Sequence, residues 1–237
     1  MSVEVRPFSG LGKARFGWLN ASHHFSFGQY HDPARMGVGP LRVWNDDEIA
    51  AHTGFDPHPH RDMEIITYVR EGAITHKDNM GNEGRTEAGD VQIMSAGTGV
   101  VHAEYNLEPQ TTKIFQIWIM PDQRGAKPNW GAKQFPKANR EAAFEVLASG
   151  RPVDGGNGAL PINVNGAVMA ATVKAGQTLT QPLAEGRAAY LVVAKGAATV
   201  NGKKLGERDG AGIMDEPEIA ITATEDAELV MVEVAKE

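Results

Sequence analysis

Residues 54–64 read GFDPHPHRDME and place two histidines two positions apart. Successive side chains of a β-strand point to opposite faces, so His58 and His60 share one face if this stretch is extended. Two imidazoles on one face can reach the same metal ion, and Glu64 has the parity to join them. Such pairs also occur on loops and surfaces without a metal, so a site needs further ligands from elsewhere in the chain.

A second pair of ligand types lies in residues 89–104, which read GDVQIMSAGTGVVHAE. His102 and Glu104 share one face of a strand, and the preceding Gly-Thr-Gly at residues 97–99 allows a tight turn. The two stretches together offer three imidazoles and a carboxylate without any thiolate, a set that suits Fe(II), Mn, Ni, Cu or Zn. Such a site leaves one or two positions for water or substrate, as metal catalysis requires.

The composition excludes several other chemistries. The chain of 237 residues contains no cysteine, which rules out disulfides, thiolate zinc sites and cysteine nucleophiles. With 23 Lys and Arg against 30 Asp and Glu, its net charge of −7 is not that of a general nucleic-acid binder. The sequence has neither a signal peptide nor an apolar run of the ~20 residues that a membrane helix needs. We therefore expect a soluble cytoplasmic protein that binds neither nucleic acid nor membranes.

Short runs rich in Val, Ile, Thr and aromatic residues alternate with turn sequences along the whole chain. With 27 glycines and 13 prolines, few segments are free of helix breakers. This pattern predicts an all-β protein whose antiparallel strands form sandwiches or barrels. The predicted strands are residues 41–44, 63–69, 90–94, 101–105, 112–120, 144–147, 167–173, 177–183, 189–194, 198–201, 212–214, 218–224 and 228–234.

The length of the chain allows one large or two small domains. Residues 121–140 contain several glycines and prolines and few apolar residues, which is typical of a linker. We therefore expect an N-terminal metal-binding domain in residues 1–130 and a C-terminal domain in residues 131–237.

The same order of strands and turns occurs in both halves of the chain. A strand, a Gly turn, a further strand and a Gly/Asp turn follow each other in residues 68–90 and again in residues 192–210. This repetition indicates a duplicated barrel. All eight histidines lie between His23 and His102, so the second copy is predicted to be degenerate and to lack a metal site.

At the ligand stretches the chain resembles a known family. Residues 54–64 resemble the first cupin motif, and residues 89–104 resemble the second in the form used by pirins. Residues 24–27 (HFSF) and 41–47 (LRVWNDD) are also similar to pirin. The match is dense over residues 10–121 and looser beyond. On these four motifs the chain is identified as a member of the pirin family of the cupin superfamily, and it resembles bacterial pirins described as quercetin 2,3-dioxygenases.

The resemblance implies a bicupin: two antiparallel, jelly-roll-like β-barrels that face each other, with one divalent transition metal in the N-terminal barrel. Ordinary cupins often take a glutamate from the first motif, whereas pirins take the one that follows the second-motif histidine. The resemblance therefore assigns His58, His60, His102 and Glu104 as metal ligands and gives Glu64 a supporting role. Iron is the expected metal, and Mn, Ni, Co, Cu and Zn are the alternatives.

The implied function is a metal-dependent dioxygenase that cleaves the heterocycle of a flavonol with O₂ and releases CO, with Glu104 as the general base. The alternative is a non-enzymatic pirin that senses metal or redox state and acts through a protein partner. A third interpretation is a cupin with an idle metal site. Pirins also imply a monomer.

The other histidines and the aromatic residues receive structural interpretations. His23 and His24 precede an aromatic pair, so we expect them to pack or to bind a backbone group. Three histidines among polar residues are predicted to be solvated: His31, His52 and His76. Four aromatic residues are most simply interpreted as core, and the alternative is that some of them line a flavonoid pocket: Phe25, Phe27, Phe115 and Trp118. Phe55 and Met94 lie beside the ligand motifs and are predicted to line a pocket.

Overall fold

β-strands are the main secondary structure of the chain. The computed structural model describes residues 2–141 and 143–236. The strands of the first half are β1 (Ser2–Arg6), β2 (Gly12–Arg15), β3 (Leu19–His23), β4 (Leu41–Ile49), β5 (Thr53–His60), β6 (Glu64–Glu71), β7 (Ala73–Asp78), β8 (Glu83–Glu87), β9 (Val91–Ser95), β10 (Val100–Asn106), β11 (Thr112–Ile119) and β12 (Asn129–Lys133).

The strands of the second half are β13 (Glu145–Ser149), β14 (Leu160–Pro161), β15 (Gly166–Val173), β16 (Thr178–Pro182), β17 (Arg187–Lys195), β18 (Ala198–Val200), β19 (Lys203–Leu205), β20 (Gly210–Met214), β21 (Glu218–Ala223) and β22 (Ala227–Ala235). Three short 3₁₀ helices connect strands: Phe8–Gly10, Lys137–Arg140 and Pro152–Asp154. Within the described residues, no helix has the length and apolar character needed to cross a membrane.

Four sheets form two units of the same design. The N-terminal unit joins a seven-stranded sheet, in the order β12-β9-β6-β11-β4-β3-β2, to a four-stranded sheet, β5-β10-β7-β8. The C-terminal unit joins the sheet β1-β20-β17-β22-β15-β13-β14 to the sheet β16-β21-β18-β19. Strands pair antiparallel apart from β13 with β14. The prediction of an all-β protein with two antiparallel units is confirmed.

The two seven-stranded sheets pack against each other. Trp44 and Phe115 from the first sheet share one buried cluster with Tyr190 and Val232 from the second. Each large sheet therefore has one face toward the other unit and one toward its own four-stranded sheet. Because both faces are covered, these strands carry nearly continuous apolar runs, as in the fully buried segment 188–193 of β17.

The interiors of the two units differ in chemistry. In the C-terminal unit the space between the two sheets is filled by apolar side chains, among them Met169, Leu191 and Met231. In the N-terminal unit the corresponding space contains two smaller apolar clusters and a set of buried polar residues. The sequence places histidine only in the first half of the chain, and the unit with the polar interior is the one that this half forms.

Two strands do not follow the predicted domain division between residues 130 and 131. β1 belongs to the C-terminal unit, where Ser2 to Arg6 pair with Met214 to Gly210 of β20. β12 extends the N-terminal sheet by pairing with β9, and it occupies part of the predicted linker. The division into residues 1–130 and 131–237 stays a prediction, and the sheets show that the chain exchanges strands across it.

His24 lies where the two units meet. Its ring is fully buried, its Nδ1 lies 2.8 Å from the Tyr190 hydroxyl, and its backbone oxygen accepts a hydrogen bond from Arg6. The expected packing is therefore found, although the polar partner of the ring is a side chain. Burial, together with the positive charge of Arg6, lowers the pKa of His24 well below its ordinary value of 6.5.

This lowered pKa predicts a stability that falls with acidification. Between about pH 7 and pH 5 the unfolded chain takes up a proton on His24 that the folded protein does not, so the free energy of unfolding decreases as the pH falls below about 6.5. Urea unfolding at several pH values should show this slope, and His24→Gln should make it shallower. Equal slopes in the two proteins would contradict the prediction.

Candidate metal centre

Antiparallel pairing of β5 with β10 brings the two histidine stretches together. His102 lies directly opposite His58, and their Nε2 atoms are 3.1 Å apart. The register shifts between His102 and Glu104, because β5 has one extra residue near Asp56 and Pro57. Bulges of this kind often occur beside active sites, and proline is tolerated there because no ladder hydrogen bond is lost.

The three histidines form a group that fits a metal ion. Ligand atoms of His58, His60 and His102 all lie within 4.8 Å of one another. The Nε2 of His60 is buried and has no hydrogen-bond partner among the described residues. Neighbouring nitrogen ligands at about 2.1 Å from one ion are separated by about the distance found between His58 and His102. His60 thus offers a buried lone pair that no described residue uses.

Burial keeps the rings of His60 and His102 neutral, as metal ligands must be. The pKa of His60 is lowered from 6.5 to about 4 by burial and by the neighbouring His102 and His58. The pKa of His102 is also lowered to about 4, mainly by burial, although the negative charge of Glu104 acts in the opposite direction. Both imidazoles therefore present unprotonated nitrogens at neutral pH.

Hydrogen bonds behind the rings select the tautomers. His58 donates from Nδ1 to the carbonyl oxygen of Asp56 at 2.7 Å, which leaves its Nε2 free for the site. His76 donates from Nε2 to the Asp78 carboxylate at 3.1 Å, so its Nδ1 can accept from Nδ1 of His102 at 3.4 Å. This chain orients His102 in the way that supporting acceptors orient metal-bound histidines.

His76 corrects a sequence-based expectation. It was predicted to be solvated, but only 1% of its surface is exposed, whereas His31 and His52 are exposed as predicted. Trp130 of β12 stacks on the His76 ring with an interplanar angle of 14°. Gly84 of β8 leaves room for that indole, because a Cβ at residue 84 would overlap it.

Glu104 is held by a row of polar side chains on the inner face of the large sheet. Its Oε1 accepts hydrogen bonds from the Thr67 hydroxyl at 3.0 Å and the Gln92 amide at 2.7 Å, and its Oε2 accepts from Gln116 at 2.9 Å. Four polar residues lie opposite one another in register across the large sheet: Gln92 of β9, Thr67 of β6, Gln116 of β11 and Asn45 of β4. Glu104 lies beside the histidine group, and its assignment as the fourth ligand stays a prediction.

Glu64 lies outside this arrangement. Its carboxylate accepts hydrogen bonds from the Ser95 hydroxyl at 2.6 Å and from Asn163 of the C-terminal unit at 3.2 Å. These contacts agree with the supporting role expected for Glu64.

A cavity of about 550 Å³ adjoins the histidine group, within the range typical of small-molecule sites. His58, His60 and Glu104 lie on its wall together with Asn45 and Gln116. The aromatic residues of the wall are Phe16, Phe27, Tyr30, Phe55 and Trp118. The cavity thus combines a polar, ligand-bearing side with flat apolar surfaces.

The predicted aromatic roles are partly confirmed. Phe55 lines the cavity as predicted, and Phe25 and Phe115 belong to the buried core. Phe27 and Trp118, predicted as core, face the cavity and pack edge to face at 5.4 Å. Met94 is not among the residues of the cavity wall and instead packs with Ile65 and Val100, so that prediction is wrong.

Comparison with known proteins supports one family. Residues 5–119 match the family model of pirin, and residues 146–234 match that of the quercetinase C-terminal cupin domain. A pirin-like protein of Caulobacter vibrioides is 61% identical over 98% of this chain and 100% of its own. The chain belongs to the pirin family. The predicted bicupin fold is thereby confirmed.

Two further relatives of this pirin carry functional information. A quercetin 2,3-dioxygenase of Escherichia coli is 41% identical over 97% of each chain. The crystal structure of the bacterial pirin YhhW of E. coli in complex with nickel(II) is 37% identical, with a TM-score of 0.92 over 100% of both chains. A metal-binding role for the histidine group is consistent with that complex.

Removal of one histidine should abolish tight metal binding. In His60→Ala the group loses a buried lone pair, so nickel(II) affinity should fall by more than the roughly 10- to 100-fold that loss of a supporting residue causes. Isothermal titration of the metal-free protein measures this. The exposed His31 provides the control, because His31→Ala should bind as the wild type does; equal affinity of His60→Ala would contradict the assignment.

The pirin should also depend on the residue behind His102. His76→Ala removes the acceptor for Nδ1 of His102 and leaves the three histidines in place, so we expect metal affinity to fall about 10- to 100-fold. The same titration measures the effect, and circular dichroism checks that the fold is intact. An unchanged affinity in a folded variant would show that His76 does not orient His102.

Proposed function

We propose that this pirin is a metal-dependent dioxygenase of the quercetin 2,3-dioxygenase type, which cleaves a flavonol with O₂ and releases CO. The observation that carries the proposal is the position of the histidine group beside an aromatic-lined cavity of about 550 Å³, with His58 and His60 on its wall. A flavonol is flat and largely apolar, with a hydroxyl and a carbonyl on adjacent carbons at one edge. Its shape suits the aromatic walls, and its oxygen-bearing edge suits the histidine side.

The proposed ligands of one divalent transition metal are His58, His60, His102 and Glu104. Iron is the first choice, with Mn, Ni, Co, Cu and Zn as alternatives, because imidazole and carboxylate ligands accept all of them. The nickel complex of YhhW supports a divalent ion in this family. When bound, the ion would lower the pKa of the substrate hydroxyl and stabilise its anion.

Glu104 is the proposed acceptor of the hydroxyl proton. Its carboxylate lies on the cavity wall and is oriented by Thr67, Gln92 and Gln116, so little reorganisation is needed when the substrate binds. Phe27 and Trp118 meet edge to face beside it. They would hold the flat ring system in place and keep water from the electron-rich enolate.

The overall reaction balances without a further reductant. Two carbon–carbon bonds of the heterocycle break, and the carbon between them leaves as CO with the oxygen of the former 3-hydroxyl. Both atoms of O₂ remain in the second product, a depside. The enolate provides the electrons that reduce O₂, and the chain's residues need only bind, orient and accept one proton.

The test is simultaneous measurement of O₂ uptake and CO release on addition of quercetin. Protein loaded separately with Fe(II), Mn(II), Ni(II), Co(II) and Cu(II) should release one CO for each O₂ consumed with at least one metal. His60→Ala should release none. The absence of CO release with every metal, in protein shown to be loaded, would contradict the proposal. It would favour the metal-sensing pirin that acts through a partner.

A second variant tests the base. Glu104→Gln keeps the size of the side chain but cannot take the proton, so kcat should fall by about 10²- to 10⁴-fold. Metal content is measured in the same samples, because a loss of turnover supports Glu104 as the base only in protein that retains its metal. Full turnover by metal-loaded Glu104→Gln would remove Glu104 as the base.

A further inference from the structure

Asp47 is a buried carboxyl that the proposed chemistry leaves without a role. It lies on β4, only 3% of its surface is exposed, and it forms part of the cavity wall. Its Oδ1 is buried and has no hydrogen-bond partner among residues 2–141 and 143–236. A polar atom buried in this way reduces stability unless something else satisfies it.

The neighbours of Asp47 in the sheet are apolar. It lies opposite Ala21 of β3 and Ile114 of β11, which belong to one cluster with Leu19 and Val69. Burial in this environment raises the pKa of Asp47 well above its ordinary value, and the negative charges of Asp46 and Glu104 act in the same direction. The folded protein thus maintains a carboxyl at an unfavourable position.

Polar residues nearby do have partners. Asn45, two residues earlier on the same face of β4, lies 2.7 Å from Nδ1 of His23. Asp46 points to the opposite face, where it pairs with Arg70 and with Arg208 of the C-terminal unit. Asp47 therefore stands out among the acidic residues of the cavity wall, because its Oδ1 has no partner among the described residues.

The position of Asp47 along the sheet indicates which part of a ligand it would meet. On the inner face of β11, Trp118 contacts the His60 ring, Gln116 binds Glu104, and Ile114 lies opposite Asp47. Four residues separate Trp118 from Ile114, about 13 Å of extended chain. The hydroxyl and carbonyl that suit the histidines belong to the middle ring of a flavonol, so a flavonol held there would extend an outer ring along the cavity wall toward Asp47.

We propose that Asp47 is a substrate-binding residue that hydrogen-bonds a hydroxyl on the part of the flavonol remote from the histidine group. This inference rests on the proposed function and deepens it. The pocket would then select polyhydroxylated flavonols over flavonols that carry only the 3-hydroxyl, because an unsubstituted ring leaves the carboxyl unsatisfied.

The test compares binding of two ligands in the absence of O₂. Nickel(II)-loaded protein is titrated anaerobically with quercetin and with 3-hydroxyflavone, which lacks the remote hydroxyls. In Asp47→Val the preference for quercetin should fall about 10-fold, and Asp47→Asn, which can still form a hydrogen bond, should keep most of it. The control is Ile114→Val, next to Asp47 in the sheet, which should leave the preference unchanged.

Thermal stability separates a binding role from a structural one. Because Asp47→Val removes a buried unpaired carboxyl, the Tm of the nickel(II)-loaded, ligand-free variant should rise by about 2–4 °C. A lower Tm with equal loss of affinity for both ligands would identify Asp47 as structural and overturn the proposal. An unchanged preference, or a wild type that binds neither ligand, would also overturn it.

The same samples distinguish this proposal from the dioxygenase assignment. Selective binding that depends on Asp47, with no CO release when air is admitted to protein loaded with each of the five metals in turn, would support Asp47 as a binding residue and contradict the proposed reaction. CO release from quercetin and 3-hydroxyflavone at the same ratio in wild type and Asp47→Val would leave the reaction standing and overturn the role of Asp47.

Discussion

Glu104 is the acceptor on which the interior of the N-terminal unit depends. Thr67, Gln92 and Gln116 are donors buried on the inner face of the large sheet, and each would cost about 1–3 kcal/mol if left without an acceptor. A single carboxylate from the opposite sheet satisfies all three. These bonds fix β10 against the large sheet. They therefore also fix His102, which lies two residues away on the same face.

The two units show how one architecture serves two purposes. The C-terminal interior is closed by apolar side chains such as Leu191 and Met231, which pack without polar requirements. The N-terminal interior gives up part of this apolar packing to hold a polar row and a cavity. The shared face between the large sheets compensates, because it supplies an apolar core that is independent of either interior.

Local periodicity made the histidine pairs predictable. Residues two apart on a strand share a face whatever the rest of the fold is, so His58 with His60 and His102 with Glu104 could be paired from sequence. The resemblance to pirin supplied the choice of Glu104 over Glu64. Sequence reasoning missed a usable signal of a polar interior. Asn45 and Asp47 alternate in β4, and polar residues interrupt otherwise apolar strands at Thr67, Gln92 and Gln116.

Residues whose environment depends on distant strands could not be predicted in this way. His76 has polar neighbours along the chain, but the pairing of β7 with β10 places it opposite Glu104, and β12 adds Trp130 as a cover. β1 has few apolar residues and was not recognised as a strand, because its partner β20 lies nearly the whole chain away. Such placements follow from tertiary pairing, which overrides local preference.

The pairing of β1 with β20 has a consequence for how the protein is made. During synthesis Ser2–Arg6 leaves the ribosome long before Gly210–Met214 exists, so this edge strand stays unpaired while the N-terminal sheets assemble. The large sheet of the C-terminal unit is complete only when β1 pairs with β20. Because contacts of such large sequence separation slow folding, this pairing is expected to be a late step in the assembly of the C-terminal unit.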